Sequence, residues 1–218
     1  MTATAPDGSP VEAFALLPPG PAPEIIDAAI PPRSTILDLG SGAGRVAHPL
    51  IERGHTLTCV DQSKEMLGHI EGAETVLADI EDLDLRRTFD VVLLASNLVN
   101  TAFADQRAAF LDTCIRHVSP RGCVLIQRLD PELVPEAIDA VSTADGVTYS
   151  LADVEHVGNL FVATVGFTIG EGHWDQRYRG EVLDDDALEA ALDKAGLNVD
   201  AYLDGQRTWA RAVRPARA

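Results

Sequence analysis

Three carboxylates and one glycine-rich loop carry most of the chemistry that can be read from this chain. Ile36-Leu37-Asp38-Leu39-Gly40-Ser41-Gly42-Ala43-Gly44-Arg45 runs from a branched, apolar stretch into glycines at alternate positions. Without Cβ atoms, such a loop lets backbone N–H groups approach a bound nucleotide closely. The dinucleotide fingerprint is G-x-G-x-x-G, whereas the third glycine here comes one residue early. Asp38 precedes the loop, and Asp61 and Asp79 each follow a further short run rich in apolar residues. A carboxylate at Asp61 can accept both hydroxyls of a ribose. One at Asp79 can accept from the exocyclic amine of adenine, with the Ile80 N–H facing the ring. Asp38 can organise the loop and hold a ligand's cationic end. Each acid also has a plainer reading, as a cap for the helix that follows it.

These residues need strand ends to hold them, and the pattern supplies strands. Ile36–Leu39 reads as a first strand and Val46–Arg53 as the helix after the loop, ended by Gly54. Thr56–Val60 is a second strand. Ser63 can cap a helix that carries Met66, Leu67 and Ile70 on one face. Thr75–Ala78 is a third strand, and Phe89–Ala95, almost wholly apolar, a central fourth. Asp105 caps a helix with Phe110, Leu111, Cys114, Ile115 and Val118 at helical spacing, and Cys123–Gln127 is the fifth strand. Strands alternating with helices imply a parallel sheet with right-handed crossovers. After Asp130 the pattern changes. Val147–His156, Leu160–Ile169 and His173–Leu183 read as three antiparallel strands, so residues 131–183 form an insertion on the substrate side. Ala187–Ala195 is a helix, and Asn198–Leu203 with Thr208–Val213 a final hairpin around Asp204-Gly205. Residues 1–23, rich in Pro, Ala and Gly, read as a mobile arm with a short ordered piece near Val11–Leu17 and with a helix over Glu24–Ile30 after it. Residues 24–218 read as a single domain.

Composition limits the partners. The chain has 218 residues, 46% of them hydrophobic, and a net charge of −17. That length suits one α/β domain with an insertion. The charge argues against nucleic acid and anionic membrane surfaces, which need clustered Lys and Arg. The basic tail of Arg207, Arg211, Arg214 and Arg217 is too small to reverse this. Cys59, Cys114 and Cys123 each fall in an apolar run without metal-ligand spacing. They read as buried free thiols of a reducing cytoplasm. No apolar segment is long enough to span a membrane, and no basic-then-apolar secretory signal opens the chain.

The glycine loop with Asp38 resembles motif I of the class I S-adenosylmethionine (SAM)-dependent methyltransferases. Val60-Asp61-Gln62-Ser63-Lys64-Glu65-Met66-Leu67 is similar to that family's second motif. Ala78-Asp79-Ile80-Glu81-Asp82-Leu83 is similar to its third, and Phe89-Asp90-Val91-Val92 to its fourth. His117-Val118-Ser119-Pro120-Arg121-Gly122 is similar to its fifth, so residues 33–128 are covered without a break. The resemblance implies a Rossmann-like seven-stranded sheet of order 3-2-1-4-5-7-6, its last strand antiparallel, with the antiparallel insertion after strand 5. It places SAM against Asp38, Gly40, Ser41, Gly42, Gly44, Arg45, Asp61, Gln62, Met66, Asp79, Ile80 and Ala95, and no metal. Arg45 opens the helix and is a candidate for the methionine carboxylate. An NAD oxidoreductase would also use Asp61 on ribose, but the early third glycine and the Asp79 motif argue against it.

The acceptor is less legible. No Asn-Pro-Pro-Tyr motif follows the fourth strand, no Pro-Cys nucleophile occurs there, and the Mg²⁺-holding acid set of catechol methyltransferases is not evident. With the charge, these features favour a small molecule, methylated at nitrogen or oxygen. Candidate acceptor ligands are Asn97, Asn100, Arg128, Asp130, Trp174 and Arg179, and candidate catalytic groups are His173 and Tyr178. The insertion resembles the layout of bacterial secondary-metabolism methyltransferases, including amino-sugar N,N-dimethyltransferases, and implies a homodimer through its strands. Two other readings stay open: a SAM enzyme that cyclises or rearranges its substrate, and a non-catalytic SAM-binding partner subunit.

Overall fold

Short apolar runs without polar alternation build the centre of the sheet, because helices cover both of its faces. The computed structural model describes residues 3–132 and 140–215. Positions 133–139 of the expected insertion and Arg217 lie outside the described residues. Strands β1 (Thr35–Leu39), β2 (Thr56–Asp61), β3 (Glu74–Leu77), β4 (Phe89–Leu94) and β5 (Val118–Gln127) run parallel. Next come β6 (Ala140–Ala144), β7 (Val147–Val157), β8 (Leu160–Ile169) and β9 (Gly172–Glu181), which form their own antiparallel sheet. The hairpin of β10 (Asn198–Tyr202) and β11 (Trp209–Val213) completes the main sheet. Its order is β10-β11-β5-β4-β1-β2-β3, with β11 antiparallel to both neighbours. This is the expected 3-2-1-4-5-7-6 order, read from the other edge.

The helices are α1 (Val11–Leu16), α2 (Ala22–Ala29), α3 (Ala47–Glu52), α4 (Lys64–Leu67), α5 (Ala104–His117) and α6 (Asp185–Lys194). Successive strand residues point to opposite faces. Leu37, Leu39, Val92 and Leu94 therefore pack with Phe110, Leu111 and Leu188 of α5 and α6, while Ile36, Val91 and Leu93 pack with Ile26 and Leu50 of α2 and α3. Ser63 caps α4, accepting from the Met66 N–H at 3.2 Å. Cys59, Cys114 and Cys123 are free and buried.

The structure departs from the sequence reading in three places. Among the described residues the insertion has four strands where three were expected. β6 is exposed along its whole length, so no buried alternation marks it. Asp105 does not cap α5; it lies inside the first turn, with Phe103 at the capping position. The segment read as a mobile arm is packed. Ala5 and Val11 form a buried cluster with Ala43 of the glycine loop and Met66 of α4. Phe14 of α1 meets Phe167 of β8 edge-on at 5.8 Å between ring centroids.

Candidate cofactor and acceptor site

The glycine loop begins where β1 ends, and its conformation follows from its composition. Gly40, Gly42 and Gly44 have φ of 69°, 55° and 85°, in the left-handed region that glycine enters without a Cβ clash. At Gly40 a Cβ would come within 2.5 Å of Leu98 Cδ1, so the loop after β4 closes directly onto it. At Gly42 nothing lies within 4 Å of that position, which leaves the loop surface open to a ligand. The Ser41 N–H donates to the Val60 carbonyl at 2.9 Å and fixes the loop against β2.

Asp61 ends β2 and faces this loop. Its Oδ2 accepts from the Gly42 N–H at 2.9 Å and its Oδ1 from the Ser63 N–H at 2.8 Å. The carboxylate thus serves the helix start and the loop at once, and a two-oxygen acceptor retains lone pairs for a ribose diol. Burial pushes the Asp61 carboxyl up, partly offset by these N–H donors. Asp38 is only 2% exposed. Burial, then the neighbouring Asp61, push its carboxyl up to about 7, while Arg45 pulls the other way. Arg45 itself is lowered by burial, offset by Tyr149 and Asp38. Its guanidinium donates to Ser96 Oγ at 3.3 Å and to the Pro18 carbonyl at 3.5 Å. Buried Asp38, with Asp61 beside it at an open glycine cradle, fits a cationic nucleoside such as SAM. The half-buried Ser41 and exposed Gln62 and Asp79 border the same strand ends, with Ile80 and Ala95 buried beneath. Met66 lies under the N-terminal segment.

Two further walls complete the site. The first is that N-terminal segment. Buried Ser9 accepts from Gln176 Nε2 of β9 at 2.9 Å and donates to Asp7 Oδ2 at 2.9 Å. The second is one face of the insertion sheet. Along β9, Trp174, Gln176 and Tyr178 are half-buried, while His173, Asp175, Arg177 and Arg179 between them are exposed. Trp174 pairs with Phe167 across the sheet, and Tyr149 meets Phe167 at 6.0 Å. The Tyr178 hydroxyl donates to the Asn97 carbonyl at 3.5 Å.

The expected acceptor and catalytic residues separate on this geometry. Tyr178 and Trp174 share the inner face, and Tyr178 reaches the Asn97 turn. His173 does not: it lies on the outer face, its Nδ1 2.8 Å from Thr168 Oγ1 and its Nε2 3.2 Å from Asp175. Strand alternation turns it away from Tyr178, five residues along. Arg179 shares that outer face, over the Phe103 ring at 5.9 Å. Asn100 is fully buried; its amide donates to the Glu181 carbonyl at 2.8 Å and accepts from the Leu129 N–H at 2.8 Å. Arg128 is 1% exposed. Its guanidinium donates to the Arg207 and Leu183 carbonyls, at 2.9 and 3.0 Å, and pairs with Asp185. Both side chains are committed to the fold and leave the acceptor set. Asp130 is exposed and turned to the Glu132 N–H. Burial pushes the Tyr178 hydroxyl up to about 12, which keeps it protonated as a hydrogen-bond donor.

Four residues of the site escaped sequence reading: Phe14, Tyr149, Gln176 and Arg107. Tyr149 and Gln176 stand at alternate positions of strands, on the same face as Trp174, which strand periodicity shows once the face is known. Arg107 occupies the apolar stripe of α5, one turn before Phe110 and Leu111, and a charge in such a stripe needs a buried partner. Among the described residues no group of three or more His, Cys, Asp or Glu is placed to hold a metal, and no helix is long and apolar enough to cross a membrane.

Comparison with known proteins agrees with this geometry. Residues 36–122 match a family model described as a methyltransferase domain. The chain is 34% identical over 124 residues to the cypemycin N-terminal methyltransferase of a Streptomyces species, covering 54% of this chain and 49% of that one. The match therefore spans about half the length of that relative. Among solved structures, the CcbJ methyltransferase of Streptomyces caelestis superposes with a TM-score of 0.77 at 21% identity, over 94% of this chain and 96% of its own. The sugar N-methyltransferase KedS8 from Streptoalloteichus superposes at 0.69 with 19% identity, over 96% and 90%. Residues 36–122 thus match a methyltransferase domain, and the chain shares its fold with solved methyltransferase structures.

Proposed function

We propose that this chain transfers a methyl group from SAM to a nitrogen or oxygen of a small-molecule acceptor. The observation that carries the reading is the Asp38–Asp61 pair at the open glycine loop, with the Gly42 N–H on Asp61. In the proposed complex Asp61 accepts the ribose hydroxyls, Asp79 and the Ile80 N–H meet adenine, and Asp38 with Arg45 hold the amino-acid end. SAM held there would supply an electrophilic methyl to the acceptor's lone pair and would leave as S-adenosylhomocysteine, the acceptor losing a proton to solvent. Positioning supplies much of the rate of such a displacement. Around the acceptor, the protein contributes the inner face of Trp174, Tyr149 and Tyr178, the Asn97 turn, and exclusion of water. One solved structure named above is by name a sugar N-methyltransferase, and one relative is by name an N-terminal methyltransferase; both support an amine as the acceptor.

The test is titration calorimetry with S-adenosylhomocysteine, followed by a screen of primary and secondary amines and of phenols with labelled SAM. Micromolar binding with methylated product supports the reading; no binding overturns it. Products other than S-adenosylhomocysteine from SAM would move the chain to the rearranging class. We also propose a homodimer through the insertion strands; a monomeric mass by light scattering would refute it.

A further inference from the structure

The turn after β4 is strained and unusually well held. Ser96 and Asn97 have φ of 53° and 59°, two consecutive side-chain-bearing residues in the left-handed region. Such a pair persists only where its surroundings over-determine it. Its near contacts are known: the Ser96 N–H donates to Gln127 Oε1 at 2.9 Å, and Leu98 lies on the glycine loop. The remaining hold comes from a distance. Arg107 of α5 donates from Nε to the Val99 carbonyl at 2.7 Å and from Nη2 to the Thr101 carbonyl at 2.6 Å. The same Nη2 pairs with Glu181 Oε2 of β9 at 2.6 Å. The Glu181 carbonyl in turn accepts from Asn100, and Gly180 bridges to Thr101. One guanidinium therefore ties the β4 turn, α5 and the acceptor-side sheet together. Arg107 is largely buried, and removing one partner of a buried pair leaves the other charge uncompensated.

We propose that Arg107 and Glu181 are positioning residues: their pair sets the Ser96–Asn97 turn against the glycine loop and fixes the insertion's inner face over it. The proposal rests on the methyl-transfer reading for its purpose, because this turn lies between the cofactor loop and the Tyr178 face. Neither residue touches substrate or cofactor. The pair acts through the carbonyls of Val99 and Thr101, so it sets the angle of approach while leaving the Asp61 side of the site untouched.

Three variants test this: Arg107→Lys, which keeps the charge and loses the fork, Arg107→Met, and Glu181→Gln. Hydrogen exchange by mass spectrometry is read together with S-adenosylhomocysteine calorimetry. In Arg107→Met and Glu181→Gln, amides of residues 96–101 should exchange about tenfold faster, while those of β7 and β8 stay as in the wild type. Affinity for S-adenosylhomocysteine should hold within about twofold, since Asp61 and Asp38 remain in place. Arg107→Lys should lie between. With any acceptor the wild type turns over, kcat should fall with KM for SAM unchanged. Unchanged exchange at 96–101, or faster exchange throughout the insertion, overturns the proposal. If Arg107→Met fails to fold, Glu181→Gln carries the same reading. A wild type that binds no S-adenosylhomocysteine refutes the proposed function instead, and the exchange pattern still decides the positioning role.

Discussion

Asp38 is the residue whose chemistry differs most from that of a free side chain, with its carboxyl pushed up to about 7 by burial and by Asp61. An unfolded chain ionises the same group near its ordinary value of 3.8. Between these values the folded protein holds a proton that the unfolded chain has lost. Stability therefore falls as pH rises from about 4 to about 7 and levels off above. Asp38→Asn should raise the melting temperature at pH 8 and leave it nearly unchanged at pH 4; equal shifts at both would refute the assignment. A cationic ligand favours the ionised form, so the affinity for SAM should rise between pH 6 and 8 with release of a proton. Calorimetry at pH 7 in two buffers of different ionisation enthalpy measures that proton directly. For Asp61→Ala, loss of charge-assisted ribose hydrogen bonds should weaken SAM binding by about 1–3 kcal/mol. Unchanged affinity would leave Asp61 with its loop and helix-start bonds alone.

At the scale of elements, the N-terminal segment and the insertion sheet meet through Ser9, Gln176, Phe14 and Phe167. Gln176→Ala frees Ser9 from β9, so chymotrypsin should cut the segment before α2, at Phe14 or Leu16, faster while the core resists. Protection by S-adenosylhomocysteine against that cut would show that the segment covers the bound cofactor. The parallel strands were legible as short, mostly apolar runs, and the first three lead into Gly40, Asp61 and Asp79. β6 was not, since all five of its residues face solvent. Nor could periodicity assign faces across the insertion. It placed His173 and Tyr178 in one strand, and only the packing of Trp174 and Gln176 shows which face turns inward. Asn100 and Arg128 were read as acceptor ligands because they are polar residues near strand ends. Their partners, Glu181, Leu129, Leu183 and Arg207, lie 29 to 81 residues away, and no local pattern reports them.

The described residues form one sheet of seven strands and a second of four, and the second is joined by buried polar groups. Arg128, with Asp185, Leu183 and Arg207, holds the return from the insertion into α6 and β11. Arg128→Met leaves the Leu183 and Arg207 carbonyls without their donor, while Asp185 keeps Arg207, and should cost about 1–3 kcal/mol. Urea unfolding monitored at Trp209, which is buried in the main core, would show the loss as a lower midpoint at unchanged slope. A separate early transition of the insertion would instead mean that the two sheets unfold independently.

The bond between Gln176 and Ser9 spans 167 positions of the chain. During synthesis the glycine loop and Asp61 leave the ribosome long before β9 exists, so a nascent chain presents a cofactor cradle with its roof unfastened. Contacts of such sequence separation form late because closing the loop costs chain entropy first. Closure over the glycine loop therefore depends on contacts made late in the chain, and an excised segment 36–122, though it spans the matched domain, would carry the loop and Asp61 without Ser9 and β9.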